Sequence, residues 1–276
     1  MTARGFDRPR VLWLVTALVY VFLFAPILVV VLFSFNGQKS LQVLDGLSLR
    51  WYEEFWQDES LRESLFASIE IAAITTVVAT ALGTGLALGT IRSRTRVARA
   101  TGMFLLIPLV TPEIVAGVSA FVLFAQVGIA LSLTTIILAH ITFSISYVTI
   151  VVRGRLAAMG SELEEAALDL GATPLQAVRL VTLPALWPAV VAAAMIVFAL
   201  SFDDFVLSFF TTGEAPQPLP VRIYSALRFG ISPTINAVGT LMMVVSVFFI
   251  ALALLLPRLL GRRESGLAVL TGGRTA

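Results

Sequence analysis

Three acidic residues of this sequence lie inside apolar stretches, where a carboxylate is costly and usually serves a function. Asp203 and Asp204 are adjacent and are flanked by Phe202 and Phe205, and Glu113 lies in an earlier apolar stretch. Carboxylates pair with ammonium groups, and aromatic faces accept both a cation and its methylene chain. The pattern predicts a pathway for an organic cation lined by Glu113, Asp203, Asp204, Phe202 and Phe205.

The acids also have structural interpretations. Either aspartate can cap a helix break or pair with Arg222 or Arg228, and Glu113 can be a neutral acid that is hydrogen-bonded to a neighbouring helix. Adjacent residues project about 100° apart on a helix, so the aspartates cannot form a catalytic dyad.

Metal and thiolate chemistry have little support in the sequence. The chain has no cysteine and a single histidine, His140. Without a second ligand, His140 is expected to be a hydrogen-bond partner between helices. We therefore expect no metal site.

A second cluster of signals predicts two short helices in a hairpin. Ser161 is expected to cap the first helix, and Gly171 to end it in a left-handed conformation. Thr173 and Gln176 then form a capping box for the second helix, which starts with Pro174.

The hairpin, 161–184, is expected to end at Leu183-Pro184 and Trp187-Pro188, because the residue before a proline avoids the α region. A hairpin with so many capping signals either packs on its own protein or is presented to a partner. Spacing alone does not decide between the two.

The composition is that of a membrane protein. The chain is 58% apolar and 13% charged, with a mean hydropathy of +0.95, which excludes an ordinary soluble domain. We expect one all-α polytopic domain over 1–276. Its six spans, each of about 20 residues or more, are placed near 11–34, 65–91, 102–126, 130–151, 187–210 and 236–257.

The basic residues orient these spans. Most of the 19 Lys and Arg residues fall before span 1, between spans 2 and 3, between spans 4 and 5, and after span 6. The positive-inside rule then places both termini and the hairpin in the cytoplasm. Because this distribution explains the pI near 9.4, no nucleic-acid partner is expected and the surroundings are membrane lipid.

The hairpin resembles a known motif. Glu165-Ala166-Ala167, then Gly171 and Val181-Thr182-Leu183-Pro184, have the spacing of the EAA loop of permease subunits in bacterial ABC importers, although that family prefers isoleucine where Val181 stands. The resemblance implies a type I importer permease fold in the inner membrane. It also makes the hairpin a coupling helix that docks on a cytoplasmic ATPase dimer, through Glu165, Ala166, Ala167, Gly171, Ala172, Thr173, Pro174, Leu183 and Pro184.

A finer resemblance is to the C-type permeases of spermidine/putrescine importers. It implies a polyamine substrate, a related B-type permease as partner and an external solute-binding protein. Importers of amino acids, opines, phosphonates or iron stay open as alternatives. The resemblance to C-type permeases is carried by six segments: Ser34-Phe35-Asn36, Thr111-Pro112-Glu113-Ile114-Val115, Ala139-His140-Ile141-Thr142-Phe143, Ser201-Phe202-Asp203-Asp204-Phe205, Phe210-Thr211-Thr212-Gly213 and Ile223-Tyr224-Ser225.

No enzymatic activity is expected of this chain. The sequence has no Gly-x-x-x-x-Gly-Lys-[Ser/Thr] loop, so ATP and Mg²⁺ are expected on the ATPase partner and no cofactor on this chain. Two other classes stay open. A six-span secondary transporter or channel would need no capped hairpin. An intramembrane enzyme using His140 would lack both an HExxH pair and a cysteine.

Overall fold

The computed structural model describes residues 9–40, 43–91, 93, 95–214, 216–228, 230 and 232–270. Over this part of the chain the structure is built from α-helices joined by short connections, with no strand, which confirms the predicted all-α class. The helices are α1 Pro9–Ser34, α2 Arg50–Gln57, α3 Glu59–Ile91, α4 Arg96–Phe104, α5 Ile107–Val110, α6 Glu113–Val127, α7 Leu133–Met159, α8 Glu162–Asp169, α9 Pro174–Ala177, α10 Leu183–Phe202, α11 Val206–Thr211, α12 Leu219–Leu227 and α13 Pro233–Leu270.

The described helices include five that are long and apolar enough to cross a membrane, and a sixth crossing if one bent pair counts as one span. They fall where the six apolar runs lie, but several are longer than those runs. α3 starts at Glu59, α7 continues to Met159 and α13 to Leu270. Helical hydrogen bonding therefore continues past the apolar boundary at these three ends.

The chain divides into two compact units. The first holds the described residues up to Arg62 together with Ile223–Met243. Its connection after α1 is organised by the buried Asn36, whose amide donates to the carbonyl oxygens of Ser40 at 2.7 Å and Val43 at 2.8 Å. The Trp51 indole in turn donates to the Asn36 carbonyl at 2.6 Å. These bonds attach the amphipathic helix α2 to the end of α1.

The second unit holds Glu63–Arg222 and the described residues from Val244 onwards. Its core is a set of alanine, valine and leucine side chains on α3, α7 and α10. Gly83 allows the close approach of α3 to α7, since a Cβ there would lie 2.7 Å from Cβ of Val148. The neighbouring pair Gly85 and Gly89, which form a Gly-x-x-x-Gly motif, face open space instead.

The third apolar run is sharply bent. The segments Arg96–Val110 and Glu113–Val127 meet at an angle of 108°. Thr111 is extended (φ −71°, ψ 128°) because it precedes Pro112, and the new helix begins directly after that proline. The predicted span 102–126 is thus divided by the bend into two segments, α4–α5 and α6, and Glu113 is the first residue of α6.

The prediction that Leu183-Pro184 and Trp187-Pro188 end the hairpin is wrong. Leu183 is helical (φ −65°, ψ −44°), and α10 continues through both prolines to Phe202. A π-helical turn, Val178–Thr182, precedes α10, and the Leu183 N–H bonds to the Val178 carbonyl five residues back. Pro184 then stands in the first turn of a new α-helical segment, where a missing N–H costs little.

Candidate functional site

The fifth apolar run breaks at its two aspartates. α10 ends at Phe202, and Asp203, Asp204 and Phe205 connect it to the short helix α11. The Asp204 carboxylate accepts the backbone N–H of Leu207, with its two oxygens at 3.0 Å and 3.1 Å. Asp204 therefore caps α11, as one of the structural interpretations proposed.

A cavity of about 270 Å³ opens beside this break. α6 contributes Glu113, and the broken helix contributes Asp203, Asp204 and Phe205. Four of the five residues predicted for a cation pathway thus line one space. Glu113 lies about 90 residues before the other three in the chain. The bend before α6 places it beside the α10–α11 break.

The three carboxylates differ in exposure. Glu113 and Asp203 are exposed, whereas the side chain of Asp204 is only 13% exposed. Within the described part of the chain, neither Glu113 nor Asp203 is ion-paired with Lys or Arg. Two accessible carboxyl groups therefore face the cavity, whereas Asp204 is bonded to the start of α11.

The fifth predicted residue, Phe202, does not line the cavity. Its side chain is 1% exposed and stacks on Phe198 with ring centroids 6.0 Å apart. It is the last residue of α10, and its ring projects into the protein core rather than towards the break. Sequence adjacency to Asp203 does not fix the direction of a neighbouring side chain, so the structure does not place Phe202 with the other four predicted residues.

Two aromatic residues that the sequence interpretation missed take its place. Phe143 and Tyr147, on α7, line the cavity with their ring centroids 5.0 Å apart. The available signal was their i, i+4 spacing on the helix face that also carries His140. With Phe205, three aromatic rings and three carboxylates surround the space, and this combination suits an ammonium group on a methylene chain.

His140 lies behind the acids and is 2% exposed. Its Nδ1 lies 2.8 Å from Oγ of Ser201, and its Nε2 lies 3.2 Å from Oγ of Ser208. The Asp204 carboxylate approaches Nε2 to 3.7 Å. The histidine is thus a hydrogen-bond partner between helices, as expected. No cluster of metal-ligating side chains occurs among the described residues.

Comparison with known proteins identifies the family. Residues 79–266 match the family described as binding-protein-dependent transport system inner membrane component. The chain is also 37% identical over 231 residues to the putrescine transport system permease protein PotI of Escherichia coli K12, covering 81% of this chain and 82% of that protein. The chain belongs to this permease family.

Other relatives agree with that assignment. The permease is 37% identical over 240 residues to the spermidine/putrescine transport system permease protein PotC of Haemophilus influenzae, covering 87% of this chain and 93% of that protein. Among solved structures, a bacterial ABC transporter for import of the polysaccharide alginate matches with a TM-score of 0.71 at 15% identity, over 91% of this chain and 96% of that one. The resemblance to importer permeases and their fold is confirmed.

The hairpin of the permease keeps most of its predicted chemistry. Gly171 has φ +89°, so it ends α8 in the left-handed region. The Thr173 hydroxyl accepts the backbone N–H of Gln176 at 3.4 Å, and the side-chain oxygen Oε1 of Gln176 accepts the backbone N–H of Thr173 at 2.8 Å. The capping box is therefore confirmed, and it starts one continuous helical segment from Pro174 to Phe202.

One predicted cap is absent. The Ser161 hydroxyl accepts no bond from the first turn of α8; it donates to Oε1 of Glu165 at 2.5 Å instead. A contact that the sequence did not suggest ties the two arms of the hairpin together, since the Thr182 hydroxyl donates to Oε2 of Glu164 at 2.9 Å. The hairpin is thereby braced between α8 and the π-helical turn.

The hairpin presents an exposed surface. Among the nine residues predicted to dock on the ATPase, Ala167 and Ala172 are half-buried and the other seven are exposed. Two leucines that the sequence interpretation passed over, Leu170 and Leu175, are 90% and 77% exposed. These two apolar side chains lie on either side of the Gly171–Thr173 turn of the hairpin.

Proposed function

We propose that this permease is the transmembrane subunit of an ATP-driven importer of polyamines such as putrescine and spermidine. The observation that carries the proposal is the cavity at the α10–α11 break, with its three carboxylates and three aromatic rings. Relatives named for putrescine and for spermidine/putrescine transport, each 37% identical to this chain, support the same substrate class.

The chemistry of the cavity fits a polyamine better than the alternative solutes that carry an anionic group. Glu113 and Asp203 are exposed to the space and supply two anionic partners for ammonium groups. Phe143, Tyr147 and Phe205 offer faces for the cations and for the methylenes between them. An opine, a phosphonate or an amino acid brings at least one anionic group, which these carboxylates would repel.

The cavity supplies one half of a translocation pathway in this proposal. A related B-type permease supplies the opposite half, and an external solute-binding protein delivers the solute. The apolar spans and the membership of an inner-membrane family support a multi-pass inner-membrane location. The distribution of Lys and Arg supports cytoplasmic termini and a cytoplasmic hairpin.

The hairpin couples the permease to a cytoplasmic ATPase dimer that binds ATP and Mg²⁺. Its contact surface consists of Glu165, Ala166, Gly171 and the turn at Thr173, extended by the exposed Leu170 and Leu175. The capped turns and the Glu164–Thr182 bond make it stiff, so it transmits a displacement instead of absorbing it. Energy enters because the hairpin binds the two ATPase conformations with different affinity.

The substrate assignment is tested by removing charges from the cavity. Asp203→Asn and Glu113→Gln should each lower the uptake of putrescine and spermidine by about tenfold or more, because each removes a charge-assisted hydrogen bond worth roughly 1.5–3 kcal/mol. Uptake of radiolabelled polyamine into proteoliposomes measures this. Glu70→Gln, an exposed acid on α3 outside the cavity, is the matched control and should transport normally.

Two outcomes count against the assignment. If Asp203→Asn, Glu113→Gln and Asp204→Asn all leave uptake unchanged, the cavity does not lie on the pathway. If a neutral amino acid competes with putrescine as well as spermidine does, the solute class is wrong.

A further inference from the structure

The α10–α11 break needs an external support. Between Phe202 and Val206 the chain leaves the helical ladder, so the directions of Asp203 and Asp204 are no longer fixed by one continuous helix. The two half-helices can rotate relative to each other about this connection unless another element holds both. A shift of about 1 Å in the carboxylates would change how well they meet a cation.

One side chain touches both sides of the break. Ser201 lies in the last turn of α10 and Ser208 in the first turn of α11, and both hydroxyls contact the ring of His140. The ring bridges them with opposite nitrogens, Nδ1 at 2.8 Å and Nε2 at 3.2 Å. His140 itself is fixed on α7, which packs along both half-helices.

The far end of α11 has a separate attachment to α7. The Thr135 hydroxyl lies 2.8 Å from the carbonyl oxygen of Thr211, and both residues are fully buried. Thr135 lies outside the cavity lining, whereas His140 is part of it. The C-terminal end of α11 is therefore held by the Thr135–Thr211 bond, away from the cavity. Its N-terminal end is held by the His140–Ser208 bond, at the cavity.

We propose that His140 is a positioning residue, which bridges Ser201 and Ser208 across the helix break and thereby aims the Asp203 and Asp204 carboxylates into the cavity. The proposal rests on the proposed function only in taking the cavity as the cation site. His140 does not contact the solute through this role. Its ring acts through the two serines and through Asp204, whose carboxylate is 3.7 Å from Nε2.

A histidine suits this role because its ring is rigid and carries a polar atom on each side. The neutral ring donates from one nitrogen and accepts at the other, and a serine hydroxyl can match either role. An amide side chain reaches only one of the two positions. Asparagine places its amide near Nδ1 and glutamine near Nε2, so each keeps one arm of the bridge.

The experiment uses a cysteine probe in the assembled transporter. The chain has no native cysteine, so Val206→Cys introduces its one thiol, on the cavity wall beside the acids. Methanethiosulfonate reagents of similar size, one carrying an ammonium and one a sulfonate, label this position, and mass spectrometry of the peptide gives both rates. The ratio of cation rate to anion rate reports the negative potential of the carboxylates at the cavity.

With the natural His140 the cationic reagent should react faster. His140→Ala should lower the ratio of the two rates by about fivefold, because the carboxylates turn away from the cavity. His140→Asn and His140→Gln should give intermediate ratios. The double variant Ser201→Ala, Ser208→Ala, which keeps the imidazole ring and its packing, should lower the ratio as His140→Ala does. Thr135→Val is the control: it removes the buried contact to Thr211 on α11, together with the bonds of the same hydroxyl to Ser132 at the start of α7, and should leave the ratio unchanged.

Three outcomes would overturn the positioning role. One is a ratio in the His140→Ala variant equal to that of the parent. Another is a double-serine variant that behaves like the parent. The third is a Thr135→Val variant that lowers the ratio equally, since the effect would then be a general loss of packing.

Protection of the thiol by putrescine tests the proposed function separately. If putrescine does not protect the thiol but the His140 variants still change the ratio of the two rates, the polyamine is rejected and the role of His140 stands.

Discussion

Asp203 and Asp204 are neighbours in sequence, yet the helix break gives them different tasks. Asp204 is largely buried and uses both carboxylate oxygens on the N–H of Leu207. Asp203 is exposed at the cavity. The cavity therefore has a fixed carboxyl group at Asp204 and an accessible one at Asp203. Substitutions at the two positions should separate stability from transport.

Asp204→Ala should destabilise the permease by about 1 kcal/mol, within the usual range of 0.5–2 kcal/mol for loss of an N-cap. Asp204→Asn keeps a side-chain oxygen for the Leu207 N–H and should retain most of that stability. Thermal unfolding of the purified transporter in nanodiscs measures both. An alanine variant as stable as the asparagine variant would show that the cap contributes nothing.

The acids of the site were predictable from the sequence, and part of its aromatic wall was not. A carboxylate inside an apolar run is conspicuous whatever it contacts, so Glu113 and Asp203 could be singled out. Aromatic residues are common in membrane helices, and nothing local separates Phe202, which is buried on Phe198, from Phe143, which lines the cavity. That distinction depends on how α7 packs against the broken helix, which is tertiary information.

Among the helices and turns, the hairpin illustrates which signals are local. The Thr173–Gln176 box and the left-handed Gly171 depend on chemistry within a few residues, and both occur as predicted. The predicted end of the hairpin at Pro184 depended on the register of hydrogen bonds upstream. The π-helical turn before it changed that register, and no residue type announces such a turn.

Gly171 allows a direct test of coupling through the hairpin. At φ +89° any residue with a Cβ is strained by about 1–2 kcal/mol, although asparagine tolerates the region better. Gly171→Asp and Gly171→Ala should therefore distort the turn and lower transport by about tenfold, while insertion and assembly continue. Gly171→Asn should retain more activity. Uptake and ATP hydrolysis stimulated by the loaded solute-binding protein are measured on the same proteoliposomes.

The control for this test is Gly154→Ala. Gly154 is also exposed and near the hairpin in sequence, but it lies inside α7 with open space around it and no positive φ. An added methyl group should be tolerated there. Full uptake by the Gly171→Asp variant would show that the turn does not dock on the ATPase.

At the scale of the whole molecule, many apolar side chains in the described part of the chain are not covered by other described residues. The apolar stretch within Val11–Ser34 has no buried residue, and Leu170 at the hairpin is 90% exposed. Lipid is a suitable neighbour for the first of these surfaces, since it is as apolar as leucine. The hairpin is polar and capped, so a protein is the suitable neighbour for the second. The molecule thus has the surfaces of a subunit.

The energy for transport has to come from a partner of this chain in the proposed function. The sequence has no phosphate-binding loop. In the proposed function, work reaches the cavity through the hairpin as a difference in binding energy between two ATPase states. The purified chain should therefore hydrolyse no ATP. The assembled transporter should hydrolyse it, and the solute-loaded binding protein should stimulate that activity. A transporter assembled with an ATPase whose phosphate-binding lysine is changed provides the control, since it should be as inactive as the chain alone. ATP hydrolysis that co-purifies with this chain in the absence of any ATPase subunit would contradict the proposed division of labour. Uptake driven by an ion gradient alone would contradict it as well.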